Sequence, residues 1–203
     1  MKKLFILFIF TFTTLFAFAE HTVSVKPTFT FGSFEHNIDN VRTSGNNTDI
    51  SLSMEYLYVF DIGFSVGANF TGCFSDYFDT VPDSIITNSK DSLGSGISFA
   101  PAIGWTFDKS AYIQLILYPV IYQSIDYTSH TVTVGKVSKK YDETVTLTTI
   151  KTGIASSFEW GWEHFKLGFG VGGNIIFEDD YNKKMESSTG FELLTFGKFT
   201  FLF

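Results

Sequence analysis

The sequence predicts an all-β fold, an eight-stranded antiparallel up-and-down transmembrane β-barrel, and three observations carry that expectation. Segments in which bulky apolar residues alternate with small polar ones recur about eight times after residue 20. The connections between these segments are alternately short and long, as in barrels with short turns at one end and longer loops at the other. The final segment sets Gly197, Phe199, Phe201 and Phe203 on one face and Lys198, Thr200 and Leu202 on the other, an ending unusual for a soluble protein.

The amino end reads as an address rather than as structure. Lys2 and Lys3 precede an almost unbroken apolar run over 4–15, and Ala17-Phe18-Ala19 has the small-x-small pattern of a cleavage site before Glu20. Residues 1–19 are therefore expected to be a cleaved signal peptide and 20–203 the barrel domain. The apolar run is shorter than the ~20 residues a spanning helix needs. After Ala19 no run is long enough, so any membrane crossing falls to strands. Charged residues make up 17%, against ~25% in ordinary soluble domains, while 25 Phe help bring aromatics to 18%, so water is not expected to be the only solvent. The lone Cys73 excludes an intramolecular disulfide. A net charge of -7 offers no basic footprint for nucleic acid.

The strands follow in order. Over 22–34, Val23, Val25, Phe29 and Phe31 oppose Lys26, Thr28 and Thr30; over 49–60, Ile50, Leu52, Met54, Tyr56, Tyr58 and Phe60 oppose Ser51, Ser53 and Glu55. Over 62–74, Phe64, Val66, Ala68 and Phe70 oppose Gly63, Ser65, Gly67, Asn69 and Thr71; over 96–107, Ile97, Phe99, Ile103, Trp105 and Phe107 form the apolar face. The fifth strand, 111–126, is apolar on both faces, with Ile113, Leu115, Leu117 and Ile121 against Tyr112, Gln114, Ile116 and Tyr118. Over 145–160, Ile150, Ile154, Phe158 and Trp160 oppose Thr149, Lys151, Gly153, Ser157 and Glu159. The seventh sets Phe165, Leu167, Phe169, Val171, Ile175 and Phe177 against Lys166, Gly168, Gly170, Gly172 and Asn174, and the eighth runs over 190–203.

Short connections follow Phe60, Phe107 and Trp160, the last built from Gly161, Trp162 and Glu163; long polar ones are expected over 35–48, 75–93, 127–144 and 178–189. Trp105, Trp160 and Trp162 all fall at the short-turn end, where an aromatic girdle is expected at the membrane interface. A soluble barrel would also alternate, but its wet face should be rich in Lys, Glu and Asp, whereas this one is mostly Gly, Ser, Thr and Asn. Small residues suit the inside of a narrow barrel.

The inward face carries Lys26, Glu55, Lys151, Glu159, Lys166, Glu192 and Lys198, charges of both signs that need partners away from water. They read as a lumen charge network, a structural plug in preference to an ion path, with Glu159 and Lys166 expected to pair across their shared turn. Ser129, His130 and His36 lie in expected loops, but adjacent residues on a strand point apart, so no catalytic constellation, cofactor or metal site is assigned. Asp76, Asp79, Asp83 and Asp91, like Glu178, Asp179, Asp180 and Glu186, read as solvated loop charge, because their spacing does not match an EF-hand. The triplets beginning at Asn46 and Asn69 match the glycosylation pattern, which a bacterial export route would leave plain.

Gly197, Phe199, Phe201 and Phe203 resemble the C-terminal signature of bacterial outer-membrane β-barrels. That resemblance implies a cell outer membrane location, outer-membrane lipid as surroundings, a monomer, and recognition of the last strand by the barrel-assembly machinery. The alternating third long connection, with Thr131, Val132, Thr133, Val134 and Val137, is similar to the protruding strands of the OmpX type, which implies adhesion to a host or surface ligand. OmpA-type membrane domains and OmpW-like, porin-like barrels that pass small hydrophobic molecules are similarly close in architecture. Pro101 and Pro119 suit the channel alternative, because Pro cannot donate a ladder hydrogen bond. A lipid-modifying enzyme is the third reading.

Overall fold

Alternation with a period of two forms strands wherever one face is excluded from water, and nine segments result: β1 (Glu20–Ile38), β2 (Val41–Val59), β3 (Phe64–Val81), β4 (Asn88–Asp108), β5 (Ile113–Val134), β6 (Val137–Tyr141), β7 (Val145–Trp162), β8 (Phe165–Tyr181) and β9 (Ser187–Leu202). The structure is a computed structural model, and it describes residues 20–38, 41–81, 88–108, 111–134, 137–141, 144–181 and 187–203. The expected signal peptide lies outside the described residues. All pairings are antiparallel. The order is β4-β3-β2-β1-β9-β8-β7-β5, and β4 also bonds β5, so the sheet closes on itself. β6 and β7 lie on the same side of β5, with β6 paired over His130 to Val134 and β7 over Ile113 to Tyr127. They are two pieces of one stave, and the fold is a closed eight-strand barrel.

Residue parity sorts the faces as the alternation predicts. On β1, Thr22, Ser24, Lys26 and Thr30 are buried in the lumen while Phe29 and Phe31 are exposed outside; on β2, Ser53, Glu55 and Leu57 are inside and Ile50, Leu52, Met54 and Tyr56 outside. The outer surface thus carries exposed Phe, Leu, Ile and Trp, and the lumen holds Lys, Glu, Ser and Thr. An inner apolar cluster of Leu57, Val59, Ala100, Ala102, Ile116, Tyr118, Ala155 and Phe196 packs among these polar groups.

Four expectations need correction. The four long connections are largely strand: β1 and β2 pair as far as Ile38↔Val41, β3 and β4 as far as Val81↔Asn88, and β5 and β6 as far as Val134↔Val137. Hydrophobic alternation marks only where a face meets an apolar environment, whereas backbone pairing continues beyond it, carried by Thr, Tyr and Val. Ile121 is inside rather than with Leu115 and Leu117, because a bulge between Tyr118 and Ile121 inserts an extra residue at Pro119-Val120 and reverses the parity; it packs against the inner cluster. Trp162 belongs to β7, paired with Phe165, rather than to the turn. The third strand likewise begins at Phe64, because Gly63, with φ of 91°, sits in the turn and donates its N–H to the Phe60 carbonyl at 2.9 Å.

The inside-out sorting has a measurable consequence. Leu57→Ala, on the inner face, should lower stability by roughly 2–5 kcal/mol in equilibrium urea unfolding of the bilayer-folded protein. Leu52→Ala, at the same chemistry on the outer face, should cost clearly less.

Candidate functional lumen

The lumen is built from one inward row per strand, and its charges assemble into two groups. Near the short-turn end, Lys26 Nζ donates to Glu55 Oε2 at 2.7 Å and to the Tyr118 hydroxyl at 2.8 Å, while that hydroxyl donates to the same Glu55 oxygen at 2.5 Å. Lys198 Nζ lies 3.0 Å from Glu159 Oε1 and 3.5 Å from Glu55 Oε1, and donates to Gln114 Oε1 at 2.5 Å. Thr200 donates to Glu159 Oε2, and Ser24 and Thr200 share a hydrogen bond of 2.8 Å. Two ammonium groups thus face two carboxylates, all at least nine-tenths buried, so the formal charge of this group cancels.

The second group is higher in the barrel. Lys151 Nζ donates to Glu192 Oε1, and Glu192 also accepts from Asn174 Nδ2 at 2.8 Å and Asn47 Nδ2 at 3.2 Å. Asn47 Nδ2 also donates to Asp49 Oδ2 at 3.3 Å. A chamber of about 90 Å³ separates the groups, with Thr28, Ser53, Asn69, Thr71 and Ser98 among its walls. It is polar and wide enough for water. Above it Phe34, Cys73, Ile125, Tyr127, Leu147 and Ile176 pack together as a second buried apolar cluster.

Of the seven inward charges singled out from the sequence, six meet in these groups. Lys166 does not, and the expected Glu159–Lys166 pair is replaced by Glu159–Lys198. The ladder explains this: Glu159 and Lys198 both stand opposite Gly168, so the two side chains meet across a strand position that has none, whereas Lys166 stands opposite Gly161 and Thr200. The Lys166 ammonium instead lies 5.3 Å from the centre of the Tyr112 ring. Tyr112, buried at the short-turn mouth with φ of 42°, donates its hydroxyl to Glu20 at 3.3 Å; burial, and then the Glu20 carboxylate, raise its phenol above the ordinary range.

Sequence reasoning missed Tyr118, Gln114, Asn174, Asn47 and Thr200 as members of the network. Inward parity beside a charge would have found Tyr118, Gln114, Asn174 and Thr200, whereas Asn47 falls in the segment expected to be a loop. Gly197, Phe199 and Phe201 lie in β9 opposite Phe169, Leu167 and Phe165, and Phe203 exchanges backbone hydrogen bonds with His21 at 2.9 and 3.2 Å. Phe199, Phe201 and Phe203 are exposed outside, as are Trp105, Trp160 and Trp162 near the same rim. The side chains of His36, Ser129 and His130, of Asp79, Asp83 and Asp91, and of Glu178, Asp179, Asp180 and Glu186 lie outside the described residues. Among the described residues no His, Cys, Asp and Glu cluster could hold a metal.

Apolar side chains outside and a hydrogen-bonded ionic interior invert the polarity of a soluble barrel. The fold is that of a small outer-membrane-type β-barrel. No protein-family model matches the sequence, and neither does any curated protein. Among solved structures the chain is similar to the outer membrane protease OmpT of Escherichia coli (7% identity, 91% of this chain and 96% of that one, TM-score 0.40). It is also similar to Ail, the attachment invasion locus protein of Yersinia pestis, solved with the heparin analogue sucrose octasulfate (12%, 91% and 99%, TM-score 0.41). Neisserial surface protein A is a third (12%, 89% and 95%, TM-score 0.33).

The ion pairs can be ranked by substitution. Lys198→Met leaves Glu55 and Glu159 buried with less compensation and should cost about 3–5 kcal/mol of stability in denaturant titration, while Lys166→Met, which removes only a contact with an aromatic face, should cost about 2 kcal/mol or less. Gly168→Val should cost at least as much as Lys198→Met, because an added Cβ would stand 2.2 Å from the Phe158 carbonyl oxygen as well as 2.5 Å from Glu159 Cγ.

Proposed function

We propose that the protein is a monomeric barrel of the bacterial outer membrane that works through its outer surface, as a structural or adhesion-like component, and not as an enzyme. The observation that carries this reading is the filled lumen. The Lys26–Glu55–Tyr118 and Lys198–Glu159–Gln114 contacts occupy one end of the lumen, and the Phe34–Tyr127 cluster packs at the other. In this reading residues 1–19 direct export, the β9 face of Gly197, Phe199, Phe201 and Phe203 is read by the barrel-assembly machinery, and Trp105, Trp160 and Trp162 lie at the periplasmic interface. The β5–β6 hairpin supports the surface role. The last β7–β8 pair is Leu147↔Tyr181, so beyond it the outer edge of β6 has no strand partner among the described residues. A free edge of this kind is a template for an added strand.

A second reading, a narrow channel for small apolar molecules, has one observation in its favour. The β4–β5 ladder is interrupted between Phe99 and Ile103, at Pro101 and Pro119, where Ala100, Tyr118 and Ile121 line the chamber from within. Planar-bilayer recording decides between the two. The surface reading expects a heat-modifiable protein without steady conductance, and deletion of 128–144 should keep the heat shift while abolishing adhesion of displaying cells to epithelial monolayers. Steady conductance altered by Lys166→Met would replace it with the channel.

A further inference from the structure

The outer face is not uniformly bulky. Where β5, β7, β8 and β9 run side by side, Ser156, Thr152, Gly173 and Thr195 are small or short, and Leu115, Leu117, Phe191 and Leu193 stand on either side of them. Register makes the pattern regular: Leu115, Ser156, Val171 and Thr195 form one row, and Leu117, Ile154, Gly173 and Leu193 the next. The result is an apolar groove of about 690 Å³. The bulge at Tyr118–Ile121 ends ladder pairing beside its β5 wall, and Thr152 Oγ1 donates to the Tyr118 carbonyl at 3.1 Å, so that neither group asks for a partner from the groove's occupant.

Depth identifies the occupant. Ser156 and Thr152 lie four and eight residues before Trp160 on the same strand. With about 3.3 Å per residue and a tilt of about 40°, they stand roughly 10 and 20 Å from the Trp160 rim, inside an apolar band of about 25 Å. The groove is continuous on every side with the exposed apolar surface, so its occupant must be at home in hydrocarbon. A second barrel, convex like this one, would bridge the protruding walls rather than enter between them. We propose that this groove is a seat for one acyl chain of a membrane phospholipid, held in preference to the chains that surround the rest of the barrel. The proposal rests on the reading of the outer face as membrane-facing.

The test uses the full mature barrel in phosphatidylcholine vesicles in which a fraction of the lipid carries a diazirine at mid-chain, with photoadducts mapped by mass spectrometry. Adducts should concentrate on Ile154, Gly173, Leu193 and their neighbours. In Ser156→Leu and Gly173→Leu they should fall about tenfold there, the change expected from losing the burial of about two methylenes. At Gly173 an added Cβ meets the end of the Phe191 ring at 3.2 Å and the Glu192 carbonyl oxygen at 3.3 Å, contacts that a shift of a few tenths of an ångström relieves, so the barrel should accept the change. Gly72→Leu, outward on β3 with open space around an added Cβ, is the control and should leave the groove adducts unchanged. Even labelling of every outward strand, or adducts indifferent to the groove variants, would overturn the seat while leaving the membrane barrel intact. Cross-linked dimers through this face would replace the lipid with a second copy. No adducts on any strand, with loss of the heat shift, would overturn the membrane reading and the seat with it.

Discussion

Closure of the hydrogen-bonded ladder is the constraint on which everything else in this molecule depends. In hydrocarbon a backbone N–H or C=O has no solvent partner, and only a sheet without edges satisfies all of them. The β4–β5 and β1–β9 seams supply that closure here. Once the ring is closed, each strand has one face for lipid and one for a narrow interior, and the sequence can place Phe and Leu on the first only if the second is filled by its own side chains. The interior charges are therefore a consequence of the fold before they are a device. Hydroxyls, amides and ions, many of them hydrogen-bonded to one another, fill the narrow space that eight staves enclose.

Three of the breaks in the ladder sit where a proline removes a donor. Pro101 and Pro119 coincide with breaks in the β4–β5 and β5–β7 ladders, and the β1–β9 pairing skips Lys26 and Pro27, with Gly197 beside the Pro27 ring at 3.5 Å. At the Tyr118 carbonyl the Thr152 hydroxyl supplies a local substitute. The same break shapes the outer groove and turns Ile121 inward, so one missing N–H affects both faces of the wall.

Much of this was legible in the sequence because a strand has a period of two and a membrane barrel has only two environments. The faces of β8, from Phe165 to Phe177, could be read residue by residue. Strand ends could not, since beyond the apolar band the outward Glu35, Ser44 and Asn46 are polar and exposed and pairing leaves no hydrophobic trace. Nor could the ion-pair partners, because stagger between strands decides them. Proximity along the chain suggested Glu159 with Lys166, whereas the ladder brings Glu159 and Lys198 together over Gly168. The Ile121 parity was hidden for a related reason: β5 is apolar on both sides, so a bulge does not disturb its pattern.

The central claim is that the wall separates lipid from a sealed polar interior. A nitroxide scan of single cysteines along β8, in a Cys73→Ser background and in lipid vesicles, tests it directly by comparing collisions with oxygen and with a water-soluble nickel chelate. A sealed interior predicts oxygen access at Leu167, Phe169, Val171 and Ile175 and access to neither reagent at Lys166 and Asn174. Nickel access at the inward positions would mean an open pore, and nickel access at the outward ones would mean that the barrel faces water.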